Sequence, residues 1–250
     1  MVDIIMLTWN NSEYTLKCLE SIKKHTHYPY CLIWVDNGSE IEEKSQVFNC
    51  INRLAIPFKH ISLDRNHGFP KGVNEGIRVS TAEYIVLLNN DTRVTEGWLG
   101  KLISYLEENR DLGVVGAVSD GIANAQNWIK CSKLLGIEPK GPAEDFINNL
   151  PHRCLIGHYY VSYFCVALKR NTIDKIGLLD EDFGIGYHED TDYDNRLFYA
   201  GYKTGIATNC FVYHVHRASA KNLPNLSELT RQNWNLMERK KRERGNHEDK

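Results

Sequence analysis

The sequence predicts an α/β fold in which a mostly parallel, Rossmann-like sheet is flanked by helices. Strand-like and helix-like segments alternate over residues 1–118, which is the pattern of parallel strands joined by crossover helices. Several strand-like segments are continuous apolar runs, as expected of strands buried on both faces. The clearest is Tyr84 to Leu88, which runs directly into the polar group from Asn89 to Thr92. Open α/β sheets bind ligands at the carboxyl ends of their strands, so we expect a site there.

Length and composition indicate an ordinary globular protein, long enough for one large α/β domain or two small ones. The chain has 250 residues, of which 42% are hydrophobic and 25% charged. The net charge of −2 gives no bulk reason to expect nucleic acid as a partner. No apolar run approaches the roughly 18 residues of a membrane span, and no secretory signal is predicted. The seven dispersed cysteines form no C-x-x-C pair and predict reduced thiols in a cytoplasmic protein.

The first half of the chain contains five predicted strands and the helices between them. We expect Ser12 and Thr95 to cap the first and the fourth helix, and Pro70 to lie in the first turn of the third. Asn37-Gly38 is followed by a helix-like segment, so we interpret it as a strand-to-helix loop. The predicted strands are Asp3–Thr8, Cys31–Val35, Phe58–Leu63, Tyr84–Leu88 and Val114–Val118. The predicted helices run from Ser12 to about His25, from Glu40 to about Leu54, from Pro70 to Val79, and from Thr95 through Leu106.

The second half is less regular, and residues 119–157 show little periodicity. Irregular insertions of this length in compact domains are usually functional. Tyr159 to Leu168 is strand-like. The remaining predicted elements are helices at Asn171–Ile176, Glu189–Ala200 and Ser227–Arg244, with short strands at Lys203–Ala207 and Phe211–His214.

Four polar clusters follow a predicted strand or open a predicted helix. They are Thr8 with Asn10, Asp36, Asn89 with Asp91, and the segment from His188 to Asp192 with His214 and His216 further on. The first three would meet at one edge of a parallel sheet. Magnesium and manganese prefer oxygen ligands and often share them with substrate phosphates, so Asp91 is a candidate metal ligand.

The acidic cluster contains a candidate general base. On a helix that begins near Glu189, residues 189, 192 and 196 share a face, so Asp192 can pair with Arg196. Asp190 lies roughly 100° away around the helix and is free to face a substrate. A calcium loop is rejected, because Asn195 occupies the position that requires glycine. His214 and His216 alternate on a strand-like segment, where either can ligate a metal or donate to a phosphate.

Six motifs, taken in order, resemble the family 2 glycosyltransferases of the GT-A fold. The matching segments are Leu7–Asn10, Val35–Ser39, Asn66–Phe69 with Asn74–Gly76, Leu88–Thr92, Glu189–Asp192 with Arg196 and Ala200–Tyr202, and His214–Ser219. Each is weak alone, but the ordered set is specific. The combination of Leu-Asn-Asn-Asp-Thr with Asn-His-Gly-Phe also resembles a rhamnosyltransferase-like subgroup.

The resemblance implies a role for each matching residue. Thr8, Asn10 and Asp36 would contact the base and ribose of a nucleotide. Asn89 and Asp91 match the first and last places of the D-x-D motif, with Asp91 binding the metal, Mn²⁺ or Mg²⁺. Asn89 removes one charge from the strict motif, which puts metal affinity in doubt. The resemblance places the base in Glu189-Asp190, of which we choose Asp190, and matches the family histidine to His214, with His216 as the alternative. The remaining predicted donor-site residues are Asn66, Gly68, Lys71, Asn74 and Asn90.

The resemblance further implies an inverting, metal-dependent glycosyltransferase of polysaccharide or cell-surface glycan synthesis. We expect a UDP- or dTDP-sugar donor and a glycan or lipid-linked acceptor. Residues 1–118 would bind the donor and residues 119–225 would supply the acceptor side and the base, in one domain from 1 to 225. Residues 226–250 would form a basic helix or tail, a solvated face with at most a weak contact at the inner face of the membrane.

Two other functions were weighed against this one. A sugar nucleotidyltransferase would need a loop with glycine and basic residues after the first strand, and the segment from Thr8 to Ser12 contains neither. A non-catalytic nucleotide-sugar-binding protein stays open, because Asn89 weakens the metal motif.

Overall fold

The computed structural model describes residues 1–215 and 225–248, with side chains to residue 245. The strands are β1 Val2–Thr8, β2 Tyr30–Asp36, β3 Phe58–Ser62, β4 Tyr84–Leu88, β5 Thr92–Val94, β6 Leu112–Val118, β7 Cys154–Gly157, β8 Cys165–Lys169 and β9 Lys203–His214. The helices are α1 Ser12–His25, α2 Ile41–Arg53, α3 Phe69–Val79, α4 Trp98–Glu108, α5 Trp128–Leu134, α6 Ala143–Asn148, α7 Arg170–Ile176, α8 Glu189–Tyr199 and α9 Leu226–Glu248. A 3₁₀ turn spans Glu181–Phe183.

The strands form a mostly parallel sheet in the order β3-β2-β1-β4-β8-β6-β9-β5, with β7 also paired to β9. Strands β3, β2, β1 and β4 are parallel to one another. Strand β8 runs antiparallel to both β4 and β6, and β6 is parallel to β9, so β1–β4, β6 and β9 share one direction. The predicted α/β class is confirmed, and the carboxyl ends of β1, β2 and β4 lie at one edge.

A hydrophobic core covers each face of the sheet. Along β1, Ile4 and Met6 belong to the cluster that includes α1, α2 and α4, whereas Ile5 belongs to the cluster with α3. Along β4, Val86 and Ile85 divide between the same two clusters. The continuous apolar runs therefore mark strands buried on both sides, as the sequence predicts.

Both predicted helix caps are wrong. Asn11, at φ 53°, precedes α1, and Ser12 is the first helical residue, whose hydroxyl donates to Oε1 of Gln46 at 2.7 Å. Gly97, at φ 68°, precedes α4, while the Thr95 hydroxyl donates to the carbonyl of Phe211 in β9. Each hydroxyl bonds a distant element instead of its own helix, which no local pattern reveals.

The predicted strands of the second half need two corrections. Within the predicted segment 159–168, strand β8 begins only at Cys165, because the Val161 amide donates to the Asp194 carboxylate (2.8 Å) instead of to a neighbouring strand. The two predicted short strands merge into β9, since the polar residues between them are buried and bonded. The Thr208 hydroxyl donates to the Arg153 carbonyl at 2.6 Å. Strands β5 and β7 and helices α5 and α6 were not predicted.

Helix α9 packs against α8. It confirms the helix predicted over Ser227–Arg244. Its Met237 is buried, and its Trp234 is 47% exposed. Across the described ranges, no helix has both the length and the apolar character needed to cross a membrane.

Candidate active site

A cavity of about 540 Å³ opens at the carboxyl edge of the sheet, within the usual range for small-molecule sites. It lies between residues 1–118 and the later half of the chain. Its walls come from residues 89–91, 160–164 and 185–191, and from Leu7, Asn37, Asn66, Gly68, Phe69, Ile122, Asn124 and His214.

Asp91 and His214 meet at one wall of this cavity. Strands β5 and β9 pair so that Thr92 lies opposite His214, which places the preceding Asp91 beside the imidazole. Oδ1 of Asp91 lies 3.3 Å from Nε2 of His214, and the two side chains are 9% and 8% exposed. The His214 ring stacks on Phe164 with ring centroids 4.9 Å apart, which fixes its orientation. The side-chain nitrogen Nδ2 of Asn89 lies 3.5 Å from the same Nε2.

These residues fit a divalent cation that is shared with a substrate. One carboxylate and one imidazole are suitable ligands, and Mn²⁺ or Mg²⁺ usually completes its shell with phosphate oxygens and water. No group of three or more metal-ligating side chains occurs within the described ranges, so the pair does not make a closed site formed by protein alone. His216, the predicted alternative to His214, lies outside those ranges.

Hydrogen bonds from the backbone and from the Asn90 side chain hold the Asn89–Asp91 segment in place. The Asn89 amide donates to the Phe164 carbonyl at 2.8 Å, and the Asn90 side chain donates to the Thr15 hydroxyl at 2.9 Å. The Asp91 carbonyl accepts from the amide of Val215. Asn90, which lines the cavity with its neighbours, is therefore anchored to α1.

A strained loop carries the second group of carboxylates to the cavity. Tyr187 and His188 have φ values of 74° and 71°, in the left-handed region that residues other than glycine seldom adopt. Each such residue costs on the order of 1–3 kcal/mol, and strain of this kind is concentrated at active sites. Helix α8 begins directly afterwards with Glu189 and Asp190 in its first turn, and both line the cavity.

The two carboxyl groups differ in their surroundings. Burial, and next the charge of Asp190, raise the pKa of Glu189 from 4.5 to about 8. Its Oε2 is buried without a hydrogen-bond partner among the described residues. Burial also raises the pKa of Asp190, but the Thr191 amide (2.7 Å) and hydroxyl (3.2 Å) donate to its Oδ1 and oppose that rise. The ionised form is therefore better supported at Asp190.

Asp192 has the structural role that helical spacing predicts. Its buried carboxylate accepts from Nε of Arg196 at 3.0 Å, which confirms the predicted pair. A second ion pair comes from Arg244 of α9, 2.7 Å from the other oxygen.

Three predicted nucleotide-binding residues do not line the cavity. The Thr8 hydroxyl accepts from Nε1 of Trp34 at 2.9 Å. Asp36 is fully buried and pairs with Nζ of Lys44 at 2.7 Å. Asn10 accepts from the Glu40 amide at 2.8 Å. These contacts join the ends of β1 and β2 to the start of α2.

Two further predicted residues also lie outside the lining. Asn74 is fully buried, and its Nδ2 donates at 2.9 Å both to the Leu179 carbonyl and to Oε1 of Glu181. Its Oδ1 accepts from the Leu179 amide at 3.0 Å. Lys71 is half-buried on α3. Asn74 therefore supports the segment that leads to the strained loop.

The remaining predicted residues, Asn66 and Gly68, line the cavity together with Asn37, which the sequence did not single out as a site residue. Nδ2 of Asn37 donates to Oδ1 of Asn66 at 2.9 Å, and its Oδ1 accepts from the His67 amide at 3.0 Å. Asn37 directly follows Asp36 at the end of β2, and that position was the available signal.

Gly68 allows the two halves of the site to approach each other. A Cβ atom at Gly68 would lie 2.0 Å from the carbonyl oxygen of Gly184. The next amide, of Phe69, donates to the Ile185 carbonyl at 3.0 Å. Only glycine fits this contact, and the φ of 88° at Gly68 also favours glycine.

Residues 3–176 match the family described as Glycosyl transferase family 2, so the chain belongs to this family. Among curated relatives, it is 22% identical over 248 residues to the hyaluronan synthase of Pasteurella multocida, covering 88% of this chain and 25% of the relative. The chondroitin synthase of the same species gives the same identity and coverage. The chain thus spans about a quarter of the length of these relatives.

Solved structures show the same fold. The mannosyltransferase of Pyrobaculum calidifontis, in complex with GDP-mannose and Mn²⁺, superposes with a TM-score of 0.66 at 17% identity, covering 85% of this chain and 56% of the other. GalNAc-T7, with UDP, GalNAc and Mn²⁺, also gives 0.66 at 16% identity, covering 90% and 45%. The fold is therefore GT-A, as the sequence predicts.

Proposed function

We propose that this protein transfers a sugar, with inversion, from a UDP- or dTDP-sugar to a hydroxyl of a glycan or lipid-linked acceptor in polysaccharide or cell-surface glycan synthesis. The observation that carries the proposal is a single cavity that has a candidate metal site on one wall and a candidate general base on another. Asp91 and His214 form one wall, and Asp190 opens α8 on another.

The donor would bind at the carboxyl edge of the sheet. A divalent cation held by Asp91 and His214 would offset charge on the departing diphosphate, which makes a separate general acid unnecessary there. Asn37, Asn66 and Asn89 offer amide groups along the donor wall. Complexes of the two structural neighbours with nucleotide or nucleotide sugar and Mn²⁺ support this assignment.

Asp190 would accept the proton of the acceptor hydroxyl. An alcohol is a poor nucleophile until that proton is removed, and a positioned carboxylate typically contributes about 10²–10⁴-fold to the rate. The carboxyl groups that line the cavity in the described part of the chain are Asp91, Glu189 and Asp190. With Asp91 on the metal and Asp190 as the base, Glu189 is the remaining carboxyl group, and its pKa of about 8 leaves it mostly protonated and a poor nucleophile at neutral pH, so direct displacement follows.

Donor and acceptor would bind to different parts of the chain. Residues 1–118 would bind the donor, and residues 119–225 with α9 would bind the acceptor. A cytoplasmic location, with contact at the inner membrane face through the basic segment 239–244, is part of the same proposal. A rhamnosyl or other hexosyl donor remains a hypothesis from the motif resemblance.

One observation favours a second function, a non-catalytic nucleotide-sugar-binding protein. Asn89 stands where the strict motif has a carboxylate, and only two metal-ligating side chains converge within the described ranges. Such a protein would bind the donor and never release nucleoside diphosphate.

A donor screen separates these functions. UDP-, dTDP- and GDP-sugars are tested with Mn²⁺ for a rise in melting temperature, because a ligand that binds only the folded state stabilises it. The donors that bind are then incubated with protein, and release of nucleoside diphosphate is followed. We expect binding with slow hydrolysis; binding without any release, even with acceptors, favours the second function, and no binding contradicts both.

A further inference from the structure

Asn233 of α9 makes two hydrogen bonds to the loop 183–188, which precedes Asp190. Its Nδ2 donates to the carbonyl of Phe183 at 2.8 Å and to that of Gly186 at 2.6 Å. Both partners are carbonyl oxygens, so the nitrogen of the amide must face them. The side chain is 7% exposed. A buried amide that uses both N–H groups on one loop constrains the backbone of that loop at two points.

The loop needs such constraints because its conformation is costly. Tyr187 and His188 follow Gly186 directly and have φ values of 74° and 71°. Strained residues persist only where their surroundings hold them. The donor half holds the loop from the opposite side, where the Phe69 amide bonds the Ile185 carbonyl. The loop is thus fixed between the donor wall and α9.

Helix α9 also holds the segments on both sides of this loop. Upstream, Nζ of Lys240 lies 2.5 Å from Asp180 and 2.6 Å from Asp182. Downstream, Arg244 pairs with Asp192 in α8 at 2.7 Å. Asn233 acts between these ion pairs, on the backbone that leads directly to Asp190. Loop and helix both lie beyond residues 3–176, the part matched to the family.

We propose that Asn233 is a positioning residue, whose amide holds the loop 183–188 in the conformation that presents Asp190 to the acceptor hydroxyl. The inference rests on the proposed function, because it requires Asp190 to act as the base. It does not require contact between Asn233 and substrate. Loss of the amide should misplace the base while the donor wall, built on β1, β2 and β4, stays intact.

The test compares Asn233→Ala with Asn235→Ala, which removes an exposed asparagine from the same helix. For Asn233→Ala we expect turnover to fall about 10- to 10²-fold, the scale of a displacement of about 1 Å at a reacting group. Affinity for nucleoside diphosphate with Mn²⁺, measured by calorimetry, should stay within about twofold. Amide hydrogen exchange, read by mass spectrometry, should rise in the peptide that covers 183–190. Asn235→Ala should match wild type in all three measurements.

Asn233→Ser provides a second variant, which retains one donor in a smaller side chain, should the alanine variant not fold. Unchanged turnover and exchange in a folded variant would overturn the inference. Equal loss of turnover and nucleotide affinity, or unfolding of both variants, would also overturn it, because Asn233 would then support the whole structure. Failure of the proposed function is distinct, since wild type itself would then release no nucleoside diphosphate.

Discussion

The imidazole Nε2 of His214 lies 3.3 Å from Oδ1 of Asp91, although the two residues are 123 positions apart in the chain. The antiparallel pairing of β5 with β9 creates this contact. It brings Asp91, the final residue of the D-x-D-like motif, to His214, the final residue of β9. Nitrogen and oxygen ligands of this kind, at the edge of a parallel sheet, suit a cation that bridges protein and diphosphate.

Replacing Asp91 by alanine should abolish transfer while the protein stays folded, because the proposed function assigns its carboxylate as the anionic metal ligand. Chelation of divalent cations should have the same effect on wild type. Turnover with and without added Mn²⁺, together with circular dichroism, checks both statements. Asp111→Ala, which removes an exposed carboxylate outside the cavity, is the control. Full activity of Asp91→Ala, or of wild type in excess chelator, would exclude the metal role.

Glu189 should make the protein less stable as the pH rises. Its pKa is about 8 in the folded state, against 4.5 ordinarily, so the folded protein holds the proton more tightly. The stabilisation is complete below pH 4.5 and is lost as the pH rises through about 8. Glu189→Gln should therefore flatten the fall in melting temperature between these values, whereas the exposed Glu107→Gln should not. A wild-type melting temperature that is constant across this range would contradict the raised pKa.

Asp192→Asn should mainly reduce stability. The buried carboxylate pairs with Arg196 and Arg244, and loss of its charge leaves both guanidinium groups poorly paired. We expect a cost of about 1–3 kcal/mol in free energy of unfolding, measured by urea denaturation. Asp174→Asn, on α7, is the control for a generic aspartate change. A stable variant with low turnover would instead assign Asp192 to the chemistry.

The anomeric configuration of the product should be opposite to that of the donor. Direct displacement by a hydroxyl inverts the anomeric carbon, and the proposed mechanism assigns no carboxylate of the described cavity lining to a covalent intermediate. NMR coupling constants of the purified product determine the configuration. A product with the configuration of the donor would overturn the mechanism.

Local patterns predicted the elements that are buried on both faces. Strand β4, Tyr84–Leu88, has the predicted bounds because its apolar run and polar flank are contiguous. Strand β5 was missed because its three residues depend on pairing with β9, far along the chain. The predicted gap in β9 was wrong because Thr208 and Asn209 are polar but bonded to distant partners.

Local patterns likewise identified some residues of the candidate site and missed others. Asp91 and Asp190 stand at positions that strand ends and helix spacing could identify. Asp36 stands at the end of a strand as expected, yet it is buried in an ion pair with Lys44 and does not line the cavity, and that partner comes from a different element. Asn233 carries no local signal, since a single asparagine on a polar helix is ordinary. Its bond to Gly186 spans 47 positions and exists only in the folded chain.

The most direct test of the proposed mechanism is the turnover of Asp190→Asn beside its affinity for donor. This change removes the proton acceptor while keeping the shape of the side chain, so only the transition state should suffer. We predict that turnover falls at least about 10²-fold, while affinity for nucleotide sugar with Mn²⁺, measured by calorimetry, stays at the wild-type value. A fully active Asp190→Asn would contradict the assignment and move the base to Glu189 or to another residue.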